Sequence, residues 1–288
     1  CKRNDSFRVY PGMEFRLTAL CFILVSVFIP SVMKILLVTL LLVSTRLLAQ
    51  SPPAYQWFTA SGKPVTFQKV VKASLPADAV FFGELHDDPI AHWMQNLLAH
   101  ELFAKYGAAF KLGAEMFERN QQAAINRFLS GEWNEKILQD SSKMWPNFTS
   151  DYLPLLTYAR DNNIPYIATN IPRTYASRVF KKGLISLDSL SEAEKKWICP
   201  LPFPMDTTLS QYKDLIQMGK DMHGNGLNFA LSQAIKDATM AYSMIENWQE
   251  GTHFLHLNGS YHSDFHQSIV WYLQQTKPQV KVITISTV

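Results

Sequence analysis

The residues best suited to chemistry in this chain are two histidines that each follow a glycine by three positions, His86 after Gly83 and His262 after Gly259. With 12 glycines and 8 histidines in 288 residues, chance predicts about 0.3 such spacings. Glycine lets the chain turn sharply, so the histidine three residues on can point back over a sheet edge. Two neutral imidazoles and a carboxylate suit a divalent transition metal that keeps one position open for water or substrate. Glu115 offers the carboxylate; it interrupts an apolar run, where an unpaired charge would be costly, so it needs a partner. A centre of His86, Glu115 and His262 would polarise a carbonyl or acidify bound water, with Glu84 or Glu115 as general base. A serine nucleophile has no support, because Gly-x-Ser-x-Gly does not occur.

Plainer readings of the same residues stand beside this one. His86-Asp87-Asp88-Pro89 reads equally as a helix N-cap with acidic residues on the dipole. Asn258-Gly259 is a turn signal. Glu115 could be paired structurally with Arg119 or Arg173. His92 reads as surface or packing, His253 and His256 as core or edge residues, and His223 before Gly224 as a helix C-terminus.

The elements that must position these groups form an alternating pattern. Ala79–Phe82, Phe110–Met116, Ile164–Thr169, Thr252–Leu257 and Val280–Ser286 read as strands. Helical spacing covers Pro89–Tyr106, much of 120–160, a stretch from Pro172, and Phe265–Gln275. Trp57–Phe67 reads as a small hairpin about Ser61-Gly62. Residues 183–250 break the alternation with three helical stretches (Ser191–Ile198, Leu209–Met222, Phe229–Trp248) and the stiff connector Cys199-Pro200-Leu201-Pro202-Phe203-Pro204. The expected fold is α/β: a mainly parallel sheet flanked by helices, spanning 50–182 and 251–288, with a small all-helical insert over 183–250. Ligands of such sheets bind beyond the carboxyl ends of the strands. Those ends hold Glu84, His86, Asp87 and Asp88; then Glu115, Glu118 and Arg119; then Asn170 and Arg173; and last His256, Asn258 and His262. Lys236-Asp237 interrupts the apolar stripe of Phe229–Trp248 and is a further candidate for the cleft.

The chain carries 27 basic and 24 acidic residues, a net of +3. Six of the basic and two of the acidic residues lie in the first 49 positions, which leaves 21 and 22, a net of −1, for the rest. A nucleic-acid partner read through a basic face is therefore disfavoured. Met33–Ala49 reads as a signal peptide: Lys34, an apolar run from Ile35 to Val43, and Leu47-Leu48-Ala49 for cleavage. Residues 1–32 are either a spurious upstream extension or, with their apolar run Leu17–Val32, part of a membrane anchor. Cys21 sits in a poor lipobox, and Cys199 alone remains in the mature chain, so no disulfide framework forms within it. The expected location is exported, periplasmic or outer-membrane associated.

Taken in order, Phe82-Gly83-Glu84-Leu85-His86-Asp87-Asp88, Ala114-Glu115-Met116-Phe117-Glu118-Arg119, Asn170-Ile171-Pro172-Arg173 and Lys236-Asp237-Ala238-Thr239-Met240-Ala241 resemble the ChaN haem-binding uptake proteins. That family shares a superfamily with the Tiki metalloproteases, the TraB/PrgY proteins and the erythromycin esterases. The resemblance runs over about residues 55–288. It implies haem as cofactor, iron acquisition, a homodimer that holds the haem, and an outer-membrane haem receptor as partner. It also implies that His86, Glu115 and His262 form the superfamily's functional centre. In the family a tyrosine is thought to hold the haem iron, with histidine and lysine near the propionates. Tyr175, Tyr212 and His223 are the candidates here, by their place beside or within the insert. Family members are often lipoproteins, and no cysteine follows this signal peptide. The second reading is a metal-dependent hydrolase, and the third an inert periplasmic scaffold.

Overall fold

The structure is a computed structural model that describes Met33, Ile35, Leu36 and residues 53–288, without the side chain of His223. The expected signal peptide and the extension before it otherwise lie outside the described residues. The chain divides into two units, Cys1–Gln56 and Trp57–Val288, and every element below belongs to the second.

Among the described residues there are seven strands: β1 (Trp57–Phe58), β2 (Pro64–Val65), β3 (Ala79–Glu84), β4 (Phe110–Glu118), β5 (Tyr166–Asn170), β6 (His253–Gly259) and β7 (Val282–Ser286). The α-helices are α1 (Phe67–Ser74), α2 (Pro89–Tyr106), α3 (Gln122–Leu129), α4 (Glu135–Ser141), α5 (Leu153–Asp161), α6 (Arg173–Lys182), α7 (Glu192–Lys195), α8 (Ser210–His223), α9 (Gly226–Glu246) and α10 (Ile269–Thr276). β1 and β2 pair as the expected hairpin, but Phe67 starts α1 because Thr66 caps that helix. The other five strands form one parallel sheet in the order β5-β4-β6-β3-β7, which bears out the expected α/β class.

The sheet has two cores because its strands alternate. Val80 and Phe82 face the layer of α2, α3, α4 and α5, whereas Ala79 and Phe81 face α6, α8, α9 and α10. Every residue of β3 is buried, as expected of a strand covered on both sides. Each fully buried phenylalanine contributes about 1.5–3 kcal/mol. Residues 183–250 supply α7, α8 and α9, and α9 lies in the second layer against β5, α6 and α10. Among the described residues no helix is long and apolar enough to cross a membrane.

Helix bounds follow from local chemistry. Pro89 opens α2, Asp88 Oδ1 accepts from the Ile90 amide at 2.9 Å, and Gly107 at φ +51° closes the helix. The α8–α9 turn crosses so tightly that a Cβ on Gly226 would stand 2.0 Å from the Ile216 carbonyl oxygen. Two expected helices are shorter than their patterns. α7 covers only Glu192–Lys195 of Ser191–Ile198, and α10 begins at Ile269 because Phe265, His266 and Ser268 hold positive φ near +55°.

His256 sits at the centre of β6, fully buried, between Thr169 Oγ1 at 2.9 Å and Asn258 Oδ1 at 3.0 Å. Burial lowers its pKa to about 4, and the Asn258 hydrogen bond only partly opposes this. Below pH 6.5 the unfolded chain takes up this proton before the folded one does, so stability falls with pH from about 6.5 through 4. The loss is about 3 kcal/mol across that window. Urea unfolding at pH 7 and at pH 4.5 should show it, and His256→Gln should flatten the dependence.

Candidate functional site at the carboxyl edge of the sheet

The central strands β3 and β6 lie side by side with Gly83 opposite Asn258 and Glu84 opposite Gly259. Both Gly-x-x-His turns therefore leave the sheet at one level, and each glycine makes room for the other turn. A Cβ on Gly83 would stand 2.6 Å from Ser260 Cα, and one on Gly259 would stand 3.0 Å from the His86 ring. β4 contributes through a break in register: its pairing with β5 is irregular between Ala114 and Glu118. Thr169 Oγ1 donates to the Ala114 carbonyl at 2.8 Å and Asn170 Nδ2 to that of Glu115 at 3.0 Å, so side chains replace the missing ladder bonds.

Glu115, 5% exposed, accepts from the Gly259 amide at 2.8 Å and meets His262 Nε2 at 3.2 Å. His262 Nδ1 lies 2.5 Å from Asp237 Oδ1, and Tyr212 donates to Asp237 Oδ2 at 2.8 Å. The result is a buried chain Tyr212–Asp237–His262–Glu115 that ties α8 and α9 to the sheet. Burial alone would push the His262 pKa down, but carboxylates on both nitrogens outweigh it and raise it to about 10. Burial would push Glu115 up, yet the adjacent imidazolium holds it well below the usual carboxylate range. Asp237 is raised, because burial there exceeds the help from His262 and Tyr212. His262 is therefore held as an imidazolium beside Glu115 and Asp237.

A second group surrounds Glu84, which is 1% exposed. Its Oε1 meets His86 Nδ1 at 2.9 Å and accepts from Tyr152 at 2.7 Å; its Oε2 accepts from Gln95 at 2.6 Å. His92 Nδ1 lies 3.5 Å from the same oxygen, and Asn147 donates to the His86 carbonyl at 2.7 Å. The Glu84 hydrogen bond raises the His86 pKa, against a smaller lowering by burial.

The structure thus brings together Glu84, His86, Glu115, Asp237 and His262 from the residues expected on sequence. Asp88 is the N-cap of α2, and Asp87 and Arg173 are exposed. Arg119 is no partner of Glu115: it binds Glu246 at 2.7 Å, Ser243 at 2.6 Å and the Lys196 carbonyl at 2.9 Å. His92, read as surface or packing, is 3% exposed and belongs to the Glu84 group. Gln95, Tyr152 and Asn147 were not foreseen; His92 and Gln95 share one face of α2, a spacing that carried the signal. The expected metal centre gains no support. Both nitrogens of His262 and both oxygens of Glu115 are engaged with protein groups. Among the described residues no group of three or more His, Cys, Asp or Glu is arranged to hold a metal ion.

Of the haem-ligand candidates, Tyr212 is fully buried, bound to Asp237 and raised well above the usual phenol range by burial, so it is out of reach of a surface ligand. Tyr175, on α6, is partly exposed and donates to Glu194 at 3.4 Å. His223 ends α8, and its side chain is outside the described ones.

The family model described as haem-binding uptake, Tiki superfamily, ChaN matches residues 70–273. The solved structure titled "Cofacial heme binding to ChaN of Campylobacter jejuni" shares the fold, with a TM-score of 0.61 at 19% identity over 81% of this chain and 89% of that one. RETICULATA-RELATED 5, a chloroplast protein of Arabidopsis thaliana, is 30% identical over 90 residues, 31% of this chain. The chain spans only 12% of that protein's length.

Proposed function

The chain belongs to the ChaN family of haem-binding uptake proteins in the Tiki superfamily, and from that membership we propose that it is an exported protein that binds haem for iron uptake. The family match over residues 70–273 carries the reading. A surface feature supports it. The end of α8 and the start of α9 expose Met218 (44%), Met222 (66%) and Leu227 (52%), and Ile185 beyond α6 is 77% exposed. The Gly183–Asn228 approach and the Phe180–Phe229 ring pair bring the end of α6 to the start of α9. Exposed Lys181, Lys182 and Lys220 flank these residues. Contiguous exposed apolar groups mark binding surfaces. An apolar face with a cationic rim fits a flat macrocycle that carries two carboxylates.

Haem would lie on this patch with lysines at its propionates, and Tyr175 and His223 are the candidates for its iron; tyrosinate is a known axial ligand of ferric haem. The buried Tyr212 does not fit that role. An open patch covers only one haem face, and a second copy of the chain would cover the other, which favours a homodimer. The Lys34 to Ala49 pattern supports export to the periplasm, with an outer-membrane haem receptor as partner. Titration of the full chain with hemin should give a saturable Soret shift, and size exclusion should show a dimer in its presence. A spectrum that never saturates would sink the proposal.

A further inference from the structure

We propose that β7 is a dimerisation edge that works without haem: two copies pair this strand antiparallel about a two-fold axis at Thr284 and join their sheets into one. β7 ends the sheet, and among the described residues it pairs with β3 alone. The Lys281 carbonyl accepts from the Ala79 amide at 3.1 Å, and the Thr287 amide donates to the Gly83 carbonyl at 2.8 Å. The odd-numbered residues therefore face β3, and alternation turns the N–H and C=O of Val282, Thr284 and Ser286 outward. The side chains are already spent on the fold, since Val282 packs in one core and Ile283 and Ile285 in the other. What the edge offers is backbone.

The opposite edge is closed. Gln122 Nε2 donates to the Tyr166 carbonyl at 2.9 Å and its Oε1 accepts from the Ala168 amide at 2.7 Å, so one side chain stands in for a strand beside β5. Among the described residues no group bonds the outward N–H and C=O groups of β7 in that way. Natural sheets blunt an open edge with lysine, proline or a bulge. Val282–Ser286 holds no lysine and no proline, and its register with β3 is unbroken. A regular edge rich in β-branched residues invites another strand.

Self-complementarity selects a second copy as that strand. With Thr284 opposite Thr284 of the second copy, Val282 falls opposite Ser286, and every outward N–H meets an outward C=O. A shift of two residues leaves an end of each strand unpaired. Phe265 adds an apolar anchor: it is 80% exposed and held at φ +56°, a costly backbone for a bulky residue. Its neighbour Asp264 accepts from the Ser286 hydroxyl, which places this turn at the carboxyl end of β7. The pairing brings Val282 of the second copy to that end, where the ring gains burial that the single chain does not give it. So short a contact is weak, with a Kd of about 10–100 μM, and dilute protein is monomeric until haem is added.

The test is sedimentation of the full chain without hemin from about 1 to 200 μM, beside Thr284→Pro and Phe265→Ser. Wild type should pass from monomer to dimer. Thr284→Pro removes an N–H that points away from β3, so it should melt with wild type, yet raise the dimer Kd about ten-fold or more. Phe265→Ser should weaken the dimer in the same direction and guards against a folding defect in the proline variant. Amide exchange reads the contact without any variant: the Thr284 amide should exchange fast in dilute protein and slow down as the dimer fills. Both variants should keep the hemin titration of wild type, so the outcome is independent of the haem reading. A monomer at every concentration would overturn the proposal, and so would a dimer that Thr284→Pro leaves intact. A Thr284 amide already protected in the monomer would also overturn it, because the edge would then be covered within one chain.

Discussion

His262→Ala should destabilise the protein by about 3–5 kcal/mol at pH 7, because it strands buried carboxylates that the imidazolium now pairs. Glu115 and Asp237 are 5% and 1% exposed, and each meets one nitrogen of that ring. The pH dependence checks the cause. The folded pKa of His262 is raised to about 10 from 6.5, so its contribution is fully present below pH 6.5 and is lost as pH rises through 10. The gap between wild type and variant, measured by urea unfolding, should narrow over that interval. Adding Glu115→Gln and Asp237→Asn to His262→Ala should recover much of the loss. A gap that stays constant from pH 6 to 10 would show that packing, not charge, is what the histidine supplies.

Gly83→Ala should be nearly as costly, and Gly259→Ala should not. The Gly83 methyl would stand 2.6 Å from Ser260 Cα and 3.2 Å from the Ile285 carbonyl, both backbone atoms in neighbouring strands or turns. Backbone cannot swing aside, so β6 or β7 must shift, at about 1–3 kcal/mol or more. The shift also displaces the turn that carries His262. The Gly259 methyl instead meets the half-exposed His86 ring at 3.0 Å, which can move outward. Thermal melts of the pair should separate clearly, with Gly259→Ala close to wild type. Near-equal melting temperatures would refute the distinction between the fixed backbone that Gly83 faces and the movable ring that Gly259 faces.

How far the sequence reached follows the same physics. The five sheet strands were readable because a parallel sheet covered on both faces demands continuous apolar runs, as in Ala79–Phe82. The bounds of α2 were readable from Pro89, which opens it. The start of α10 was not, since positive φ at Phe265, His266 and Ser268 leaves no mark in hydrophobic periodicity. The site's frame was legible: strand ends in a parallel sheet converge, and Glu84, His86, Glu115 and His262 do meet. Its second ring was hidden, because Tyr152 and Asn147 reach it across 61 residues or more of chain. Arg119 misled because charge and sequence proximity suggested Glu115, whereas the side chain reaches the far end of α9. The burial of Tyr212 was available in principle. Leu209, Tyr212, Leu215 and Ile216 repeat at helical spacing and place that tyrosine on the inward face of α8.

On the function proposed above, haem sits on the apolar patch formed by α8, α9 and the end of α6. The most direct measurement is a hemin titration of the full chain beside the double variant Met222→Glu/Leu227→Glu. Both residues are more than half exposed, so the variant should fold as wild type does. Two carboxylates placed on the macrocycle's seat should weaken hemin binding about ten-fold or more. A wild-type Soret shift that saturates, with the variant's curve displaced by that factor, is the predicted result. Equal affinity in the two proteins, or no saturable shift in wild type, would contradict the claim.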